Sequence, residues 1–290
     1  MANTILTADV IAREAIDTLY SNAVMANLVY RGVDSDFGSE VLGHRVGDTI
    51  SVPQPTTFVS DSFSGTITVQ NATESSVPVV LDKHEDVSFT VTSAELTLDI
   101  SQFSRRFVQP ATRALAQQVD IDLLTLRNDV ANSVTFDVTD AWGTAIEARK
   151  ALNLAKVPID MRQLVWSSNG EAAVLKDARF SSAEQVGDDG TAFREASLGR
   201  AAGFSHFLDQ NADDTAESVA FHPTAFILAT SALYLPEGAA DAAQVSFGGL
   251  TIRVVMDYDI STKAQTVSLD VLYGVKTFDA DRAVIVSAIS

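Results

Sequence analysis

Two hydrophobic periods follow one another between residues 49 and 133. Thr66-Ile67-Thr68-Val69 and Val87-Ser88-Phe89-Thr90-Val91 alternate apolar and polar side chains, the period-two pattern of half-buried strands. Residues 70–76 between them form a polar turn with no apolar face. From residue 103 to about 132 the period becomes helical, with Ala111, Ala114, Leu115, Val119, Leu123, Leu126 and Val130 recurring at its spacing. Pro110 either starts the main portion of that helix or kinks it. Leu115, Val119 and Leu123 are the candidate positions for packing against a sheet. A two-stranded arm is marginal alone, because half of its apolar side chains have nothing over them. The pattern therefore predicts an arm covered by a second copy of the chain, and a protein built to assemble.

Ahead of the arm, residues 7–29 predict a helix capped by Thr7, with Asp9 in its first turn. Its apolar stripe is Ile16, Leu19, Tyr20, Ala23, Val24 and Leu28. Residues 31–48, punctuated by Gly32, Gly38, Gly43 and Gly47, predict an extended linker. Beyond residue 139 the order is α/β. Thr139 or Asp140 caps a helix ended by Val157-Pro158, residues 163–166 are a short apolar strand, and Asn169 opens a helix over 171–177. Residues 180–202 read as loop, 203–207 as strand and 210–217 as an acidic turn. Phe221-His222-Pro223-Thr224-Ala225-Phe226 leads into a last helical piece through Leu233. Strands over 250–256, 266–273 and 283–289 close the chain, with Gly248-Gly249 and Gly274 as breaks.

With 46% apolar and 20% charged residues among 290, the chain has the composition of a folded protein with one large core or two lobes. The absence of Cys excludes disulfides and thiolate metal sites. Met1-Ala2-Asn3-Thr4 has neither the basic stretch nor the apolar run of a signal peptide, and no window reaches the roughly 18 apolar residues of a membrane span. The expectation is a soluble, cytosolically made protein without membrane contact. The net charge of −18 is uneven: residues 1–100 hold 4 basic against 14 acidic side chains, residues 101–160 hold 7 of each, and residues 201–290 hold 4 against 11. No cluster of Lys and Arg is available to displace counterions, which excludes tight DNA binding but leaves open DNA held without adhesion, or a basic protein partner.

The familiar catalytic constellations are missing from the sequence. It contains no Gly-x-Gly-x-x-Gly, no P-loop and no Gly-x-Ser-x-Gly. His44, His84, His206 and His222 show no metal-ligand spacing, and His222 before Pro223 reads as packed or capping. Asp209-x-Asn211-x-Asp213 begins like a calcium loop, yet Asp214 stands where Gly is required and Ala220 where Glu is, which excludes an EF-hand. A looser calcium site and a solvated acidic turn both remain as readings. Asp257-x-Asp259 and Asp279-x-Asp281 are acidic strand ends, and Arg105-Arg106 is a short basic point suited to acidic neighbours. No catalytic residue, cofactor site or metal centre is predicted, and an enzyme is not expected.

Several segments do resemble a known family, the major capsid proteins of tailed bacteriophages with the Hong Kong 97-type fold, particularly the podovirus coat-protein branch. Met1-Ala2-Asn3-Thr4 with Met25-Ala26-Asn27-Leu28-Val29-Tyr30 is similar to that branch's N-terminal arm. Gly47-Asp48-Thr49-Ile50-Ser51-Val52-Pro53 resembles the start of its extended loop, and Val80-Leu81-Asp82-Lys83-His84 with Glu95-Leu96-Thr97-Leu98-Asp99-Ile100 its end. Gly199-Arg200-Ala201-Ala202-Gly203-Phe204, the segment 221–226 and Val271-Leu272-Tyr273-Gly274-Val275-Lys276 resemble further family segments in the same order.

The resemblance implies an α+β fold: N-arm 1–48, extended β loop 49–100, spine helix of a peripheral domain 101–138, axial domain 139–250, and C-terminal strands 251–290 returning to the peripheral domain. It also implies hexamers and pentamers of an icosahedral shell around packaged double-stranded DNA, assembled in the host cytoplasm. A separate scaffolding protein, a portal and a decoration protein are the implied partners. Asp9, Glu14 and Asp17, offset only by Arg13, are then either a docking site for a basic scaffolding segment or the solvated face of an amphipathic helix. No domain is inserted near residues 235–250, and the arm offers only Lys83 toward crosslinking, which the sequence does not support. The alternatives are an encapsulin-like, cargo-enclosing shell and a tail-tube or other virion protein.

Overall fold

The computed structural model describes residues 7–32, 40, 41, 44, 45, 49–92 (apart from 57, 64, 66, 68 and 71–74), 103–181, 198–212 and 218–288. Residues 8–22 form the N-terminal helix, which buries Ala8, Ile11, Ala12, Ala15, Ile16 and Leu19 along one stripe. It stops at Asn22, short of the expected residue 29, and a single turn, Met25–Leu28, follows. The break is stabilised from outside: Asp120 accepts the backbone N–H groups of Val24 and Ala26 at 2.6 and 3.0 Å. Thr7 makes no side-chain cap. The Ala8 N–H instead donates to Asp241, 233 residues away, at 2.7 Å.

The long helix opens with a π turn over Ser104–Val108, continues as α-helix over Gln109–Thr125 and ends in a 3-10 turn over Leu126–Asp129. The π turn widens the backbone just before Pro110, which has no N–H to give and whose ring would press on a preceding carbonyl. This helix and the N-terminal helix pack together on a sheet of five strands.

Two short pairs lie outside the main sheets: β1 (Glu40–Val41) with β2 (His44–Arg45), and β3 (Thr49–Gln54) with β4 (Ser75–Val80). The five-stranded, antiparallel sheet holds β5 (Lys83–Thr92) on one side of β14 (Ala264–Thr277). On its other side lie β11 (Phe226–Ser231) and β13 (Leu250–Asp259), the latter pairing with β12 (Asp241–Phe247). The second sheet runs β6 (Ser133–Phe136), β15 (Ala283–Ala288), β10 (Ser218–Phe221), β7 (Gln163–Trp166), β9 (Phe204–Leu208), β8 (Arg200–Ala201). Its β6–β15 and β7–β9 pairs are parallel. It is covered on both faces, which explains its continuous apolar runs. Val165, Val219, Phe221 and Ala283 face the first core; Leu164, Trp166, Ala220, Val284 and Val286 face a second one under helix Ala141–Leu154, whose N-cap is Asp140.

Four expectations change. No strand forms at the described residues Ile67 and Val69, and residues 75–76 belong to β4 instead of the expected turn. The 87–91 segment lies inside β5, paired with β14 of its own sheet, so this half of the arm is covered by its own chain: Phe89 stacks on Phe107 at 5.4 Å. The helix expected through Leu233 is the short turn Pro223–Ala225 followed by strand β11. A short apolar run carries no period to separate strand from buried helix; here Phe226 and Leu228 enter the main core while Ile227 and Ala229 pack under Val52 and Val79 of β3 and β4. Gly274 does not break a strand. It sits within β14, where a Cβ would lie 1.9 Å from the Val80 carbonyl oxygen, so only glycine lets the arm's root cross the sheet there.

Within 251–290, β13 and β14 belong to the five-stranded sheet and β15 to the other. Strand β6, which follows the long helix, joins the second sheet, while β11 and β12 join the first. Register with long-range partners decides these memberships, which segment-by-segment composition does not carry.

Candidate assembly surfaces

Leu115, Val119 and Leu123 are 2, 2 and 0% exposed and lie in the main core, on the helix that contacts β5 and β14. Between β3 and β4 the described residues are largely exposed. The described apolar side chains there, Phe58, Val59, Phe63, Ile67 and Val69, are 64 to 81% exposed. Gln70 holds the two legs of this loop together, accepting the Val59 N–H at 3.0 Å and donating to the Val59 carbonyl. At its root, the Gln54 amide donates to the Phe278 carbonyl at 2.7 Å and accepts from Ser75 at 2.8 Å. Burial of an apolar side chain contributes about 1.5–3 kcal/mol, so covering these five would supply on the order of 10 kcal/mol before the entropic cost of association.

Further exposed apolar side chains lie elsewhere, among them Leu154, Ile159 and Met161 where helix Ala141–Leu154 turns toward β7, Tyr234, Leu235 and Phe247 around β12, and Tyr258 and Ile260 at the tip of the β13–β14 hairpin. At that tip, bonds from Ser261 and Thr262 lower the Asp259 carboxyl to about 2, which makes it a solvated turn residue. Asp279 likewise accepts the Asp281 N–H at 3.1 Å and pairs with Arg282 at 2.8 Å. Arg105 and Arg106 lie exposed on the π turn.

The acidic trio of the N-terminal helix is divided. Asp9 pairs with Arg13 at 3.0 Å in solvent, and Asp17 is exposed. Glu14 is turned toward the long helix, where it accepts from Ser104 and, at 3.3 Å, from Gln109.

Most interior ionisable groups are partnered. Asp270, held by Arg253 on β13, lies 2.9 Å from His84 on β5 and so links three strands. Lys83 pairs with Asp122 at 3.0 Å, and the Tyr273 hydroxyl donates to the same carboxylate at 2.7 Å; burial first and then that hydrogen bond raise the tyrosine far above its ordinary value. His222 accepts from the Thr224 N–H at 3.3 Å and caps the turn Pro223–Ala225; burial first, then Arg282, lower its pKa. In the second core the Trp166 indole N–H donates to His206 Nδ1 at 2.9 Å, and His206 Nε2 lies 3.0 Å from the Ala201 carbonyl. Burial depresses this imidazole to about 4. Asp120 is raised to about 7, by burial first and then by the charge of Asp209, against the pull of the Val24 and Ala26 amides.

Among the described residues nothing assembles a nucleophile with a base. A cavity of about 450 Å³ beside helix Ser168–Lys176 is lined by Ser167, Asn169, Ser218 and Lys176 among apolar neighbours, without a histidine or carboxylate. Among the described residues no group of three or more His, Cys, Asp or Glu is placed to hold a metal ion, and no helix is long and apolar enough to cross a membrane. What the geometry offers among the described residues is a body with two large cores and exposed apolar side chains, most densely on the loop between β3 and β4.

No protein family matches the sequence, and no curated protein does. Solved structures do match the fold. A chain from Mycobacterium phage Che8 superposes with a TM-score of 0.68 at 18% identity, over 91% of this chain and 90% of that one. The capsid structure of cyanophage P-SCSP1u gives 0.62 at 11% identity, over 84% of each chain. A virus-like particle from Pyrococcus furiosus gives 0.55 at 12% identity, over 96% of this chain and 98% of that one. The fold is the mixed α+β, Hong Kong 97-like fold of phage capsid structures.

Proposed function

We infer that the chain is the major capsid protein of a tailed bacteriophage, closing as hexamers and pentamers into an icosahedral shell around packaged double-stranded DNA. One observation carries the reading: a body with the fold of capsid chains over nearly its full length exposes apolar side chains on a tethered loop that its own cores do not cover. In this reading the loop between β3 and β4 lies on a neighbouring subunit, and the six-stranded lobe, with Leu154, Ile159 and Met161, turns toward the capsomer axis. The net charge of −18 suits a shell that must release its DNA, since a basic lining would bind the polymer. A scaffolding protein, a portal and a decoration protein complete the proposed partners, and the podovirus branch rests on the sequence motifs. A second reading, a cargo-enclosing compartment, is favoured by the match to the Pyrococcus furiosus particle.

Electron microscopy of the chain expressed with its neighbouring genes tests both. Closed shells are expected, and deletion of residues 57–73, which spares β3 and β4, should leave a soluble subunit that forms none. Normal shells from that deletion would refute the role given to the loop; tubes or monomers from the intact chain would refute the shell. Shells that carry a co-purifying enzyme in place of DNA support the compartment.

A further inference from the structure

Two buried acids are left over by everything above, and they belong together. Asp120 on the long helix and Asp209 after β9 are both 0% exposed. Asp120 holds the break in the N-terminal segment, accepting the N–H groups of Val24 and Ala26 at 2.6 and 3.0 Å. Asp209 Oδ1 accepts the backbone and side-chain N–H groups of Asn211, both at 2.9 Å, while its Oδ2 is buried without a hydrogen-bond partner. Such burial fits neither an open cation site nor a solvated acidic turn. Val24, Gln117 (one helical turn before Asp120) and Asp209 lie around one depression, so the two acids approach each other from the long helix and from the end of a strand of the six-stranded sheet.

No base stands between them. Arg113 lines the depression from the long helix, but it is exposed and bonded to neither acid. Asp122, two residues beyond Asp120, is turned away to Lys83 and Tyr273. On the N-terminal helix, Arg13 pairs with Asp9, Glu14 takes Ser104 and Asp17 is exposed; residues 22–28 carry no ionisable side chain, and Arg31 lies over the Tyr20 ring. From β9, His206 points into the second core toward Trp166. Two carboxylates that are desolvated together and lack a counter-charge cannot both ionise without strong repulsion, so a pair of this kind retains one proton.

We propose that Asp120 and Asp209 share one proton that keeps the break in the N-terminal segment closed against the turn after β9, and that its loss to solvent at alkaline pH loosens this joint. The amides of Val24 and Ala26 favour the charge on Asp120, and the oxygen without a donor on Asp209 suits the proton. Burial first, then the charge of Asp209, raise Asp120 from 3.8 to about 7, a value that belongs to the pair. Between those two values the folded chain keeps a proton that the unfolded chain gives up. The stabilising contribution is therefore complete below 3.8 and is lost as pH rises through 7.

The full-length chain is melted between pH 5 and pH 8 beside Asp209→Asn, Asp120→Asn and Asp257→Asn, the last on the exposed hairpin tip. The native Tm minus that of Asp209→Asn should fall by about 5 °C over this range, leaving Asp209→Asn the more stable protein at pH 8. The same difference taken against Asp257→Asn should stay flat, because groups common to both proteins cancel. Exchange protection of the Val24, Ala26 and Asn211 amides, relative to β14, should drop at least tenfold from pH 5 to pH 8 in the native chain and hold in Asp209→Asn. If Asp209→Asn fails to fold, the native exchange data carry the test together with Asp120→Asn, whose Tm difference should show the same fall. A flat difference for Asp209→Asn, a fall matched by Asp257→Asn, or unchanged protection at Val24 and Ala26 overturns the shared proton. Equal destabilisation of Asp209→Asn at both pH values also overturns it, by making Asp209 a packing residue.

Discussion

His206 should make the six-stranded lobe acid-labile in a pH window set by its geometry. Because the Trp166 indole N–H points at Nδ1, that nitrogen must be the unprotonated one, and Nε2 carries the hydrogen given to the Ala201 carbonyl. A second proton would have to sit between two donors, in a site packed against Trp166 and Phe180. Burial therefore lowers the folded-state pKa from 6.5 to about 4. The unfolded chain takes up a proton below 6.5 that the folded one refuses, so the stabilising term is complete above 6.5 and is lost as pH falls toward 4. At about 1.4 kcal/mol per pH unit the loss is about 3 kcal/mol, a sizeable part of a typical domain's stability.

Carboxylates titrate in the same range, so the useful quantity is a difference between two proteins. Gln at position 206 can accept from Trp166 and donate to Ala201 without titrating. The denaturant stability of the native chain minus that of His206→Gln should fall by about 3 kcal/mol between pH 7 and pH 4 and stay flat above pH 7. Trp166 gives a local reading once Trp142, the other tryptophan, is replaced by Phe. Its fluorescence should change with a midpoint near 4, in step with the loss of amide protection in β7 and β9. A midpoint at 6 or above, or a flat difference curve, would show that the imidazole is not held between those two partners.

The other predictions concern packing and caps. Leu115→Asp places a charge without a partner at a position 2% exposed and should cost at least about 4 kcal/mol or abolish folding; native-like melting would show the face to be wrong. Gly274→Ala drives a methyl into the Val80 carbonyl and should cost about 3 kcal/mol with detached β4–β5 geometry, detectable as faster amide exchange in both strands. Asp241→Ala should lose about 1 kcal/mol in urea unfolding while Thr7→Ala loses almost nothing, and the reverse ranking would return the cap to Thr7. Asp9→Asn with Asp17→Asn should weaken salt-sensitive co-sedimentation with a basic scaffolding segment at unchanged Tm, whereas Glu14→Gln should lower Tm; binding indifferent to both would leave this face as plain solvated surface.

What the sequence announced and what it concealed divide by range. Helix Ala141–Leu154 was legible because its signals are local, an Asp140 cap at one end and Val157-Pro158 beyond the other. Strands β5, β13 and β14 were legible because one face of each is wetter than the other, so alternation survives in the chain itself. The 226–231 segment carries no such record, since β11 is covered on both faces and its residues read the same in strand or helix. Strands β10 and β12 were not anticipated: the first is four buried residues and the second opens with Asp241-Ala242-Ala243, a sequence with little strand character of its own. Along the long helix, Leu115, Val119 and Leu123 could be nominated from spacing alone, because any sheet beneath them would bury the same stripe.

The groups that lock the lobes are of the other kind. Ala8 with Asp241, Val24 with Asp120, Ser104 with Glu14 and Tyr273 with Asp122 are separated by 233, 96, 90 and 151 residues. Each of these acids, met in sequence, is indistinguishable from surface charge, and in a chain of net charge −18 most of them are expected to be just that. Only the closed topology singles out the few that are buried and aimed at a backbone N–H or a hydroxyl. The same reasoning separates two kinds of group in this chain. The exposed Phe58, Val59, Phe63, Ile67 and Val69 stand out without reference to any partner within the chain. A buried carboxylate becomes informative only when its partners can be counted, and among the described residues Asp209 is the carboxylate with a buried oxygen that meets no hydrogen-bond donor.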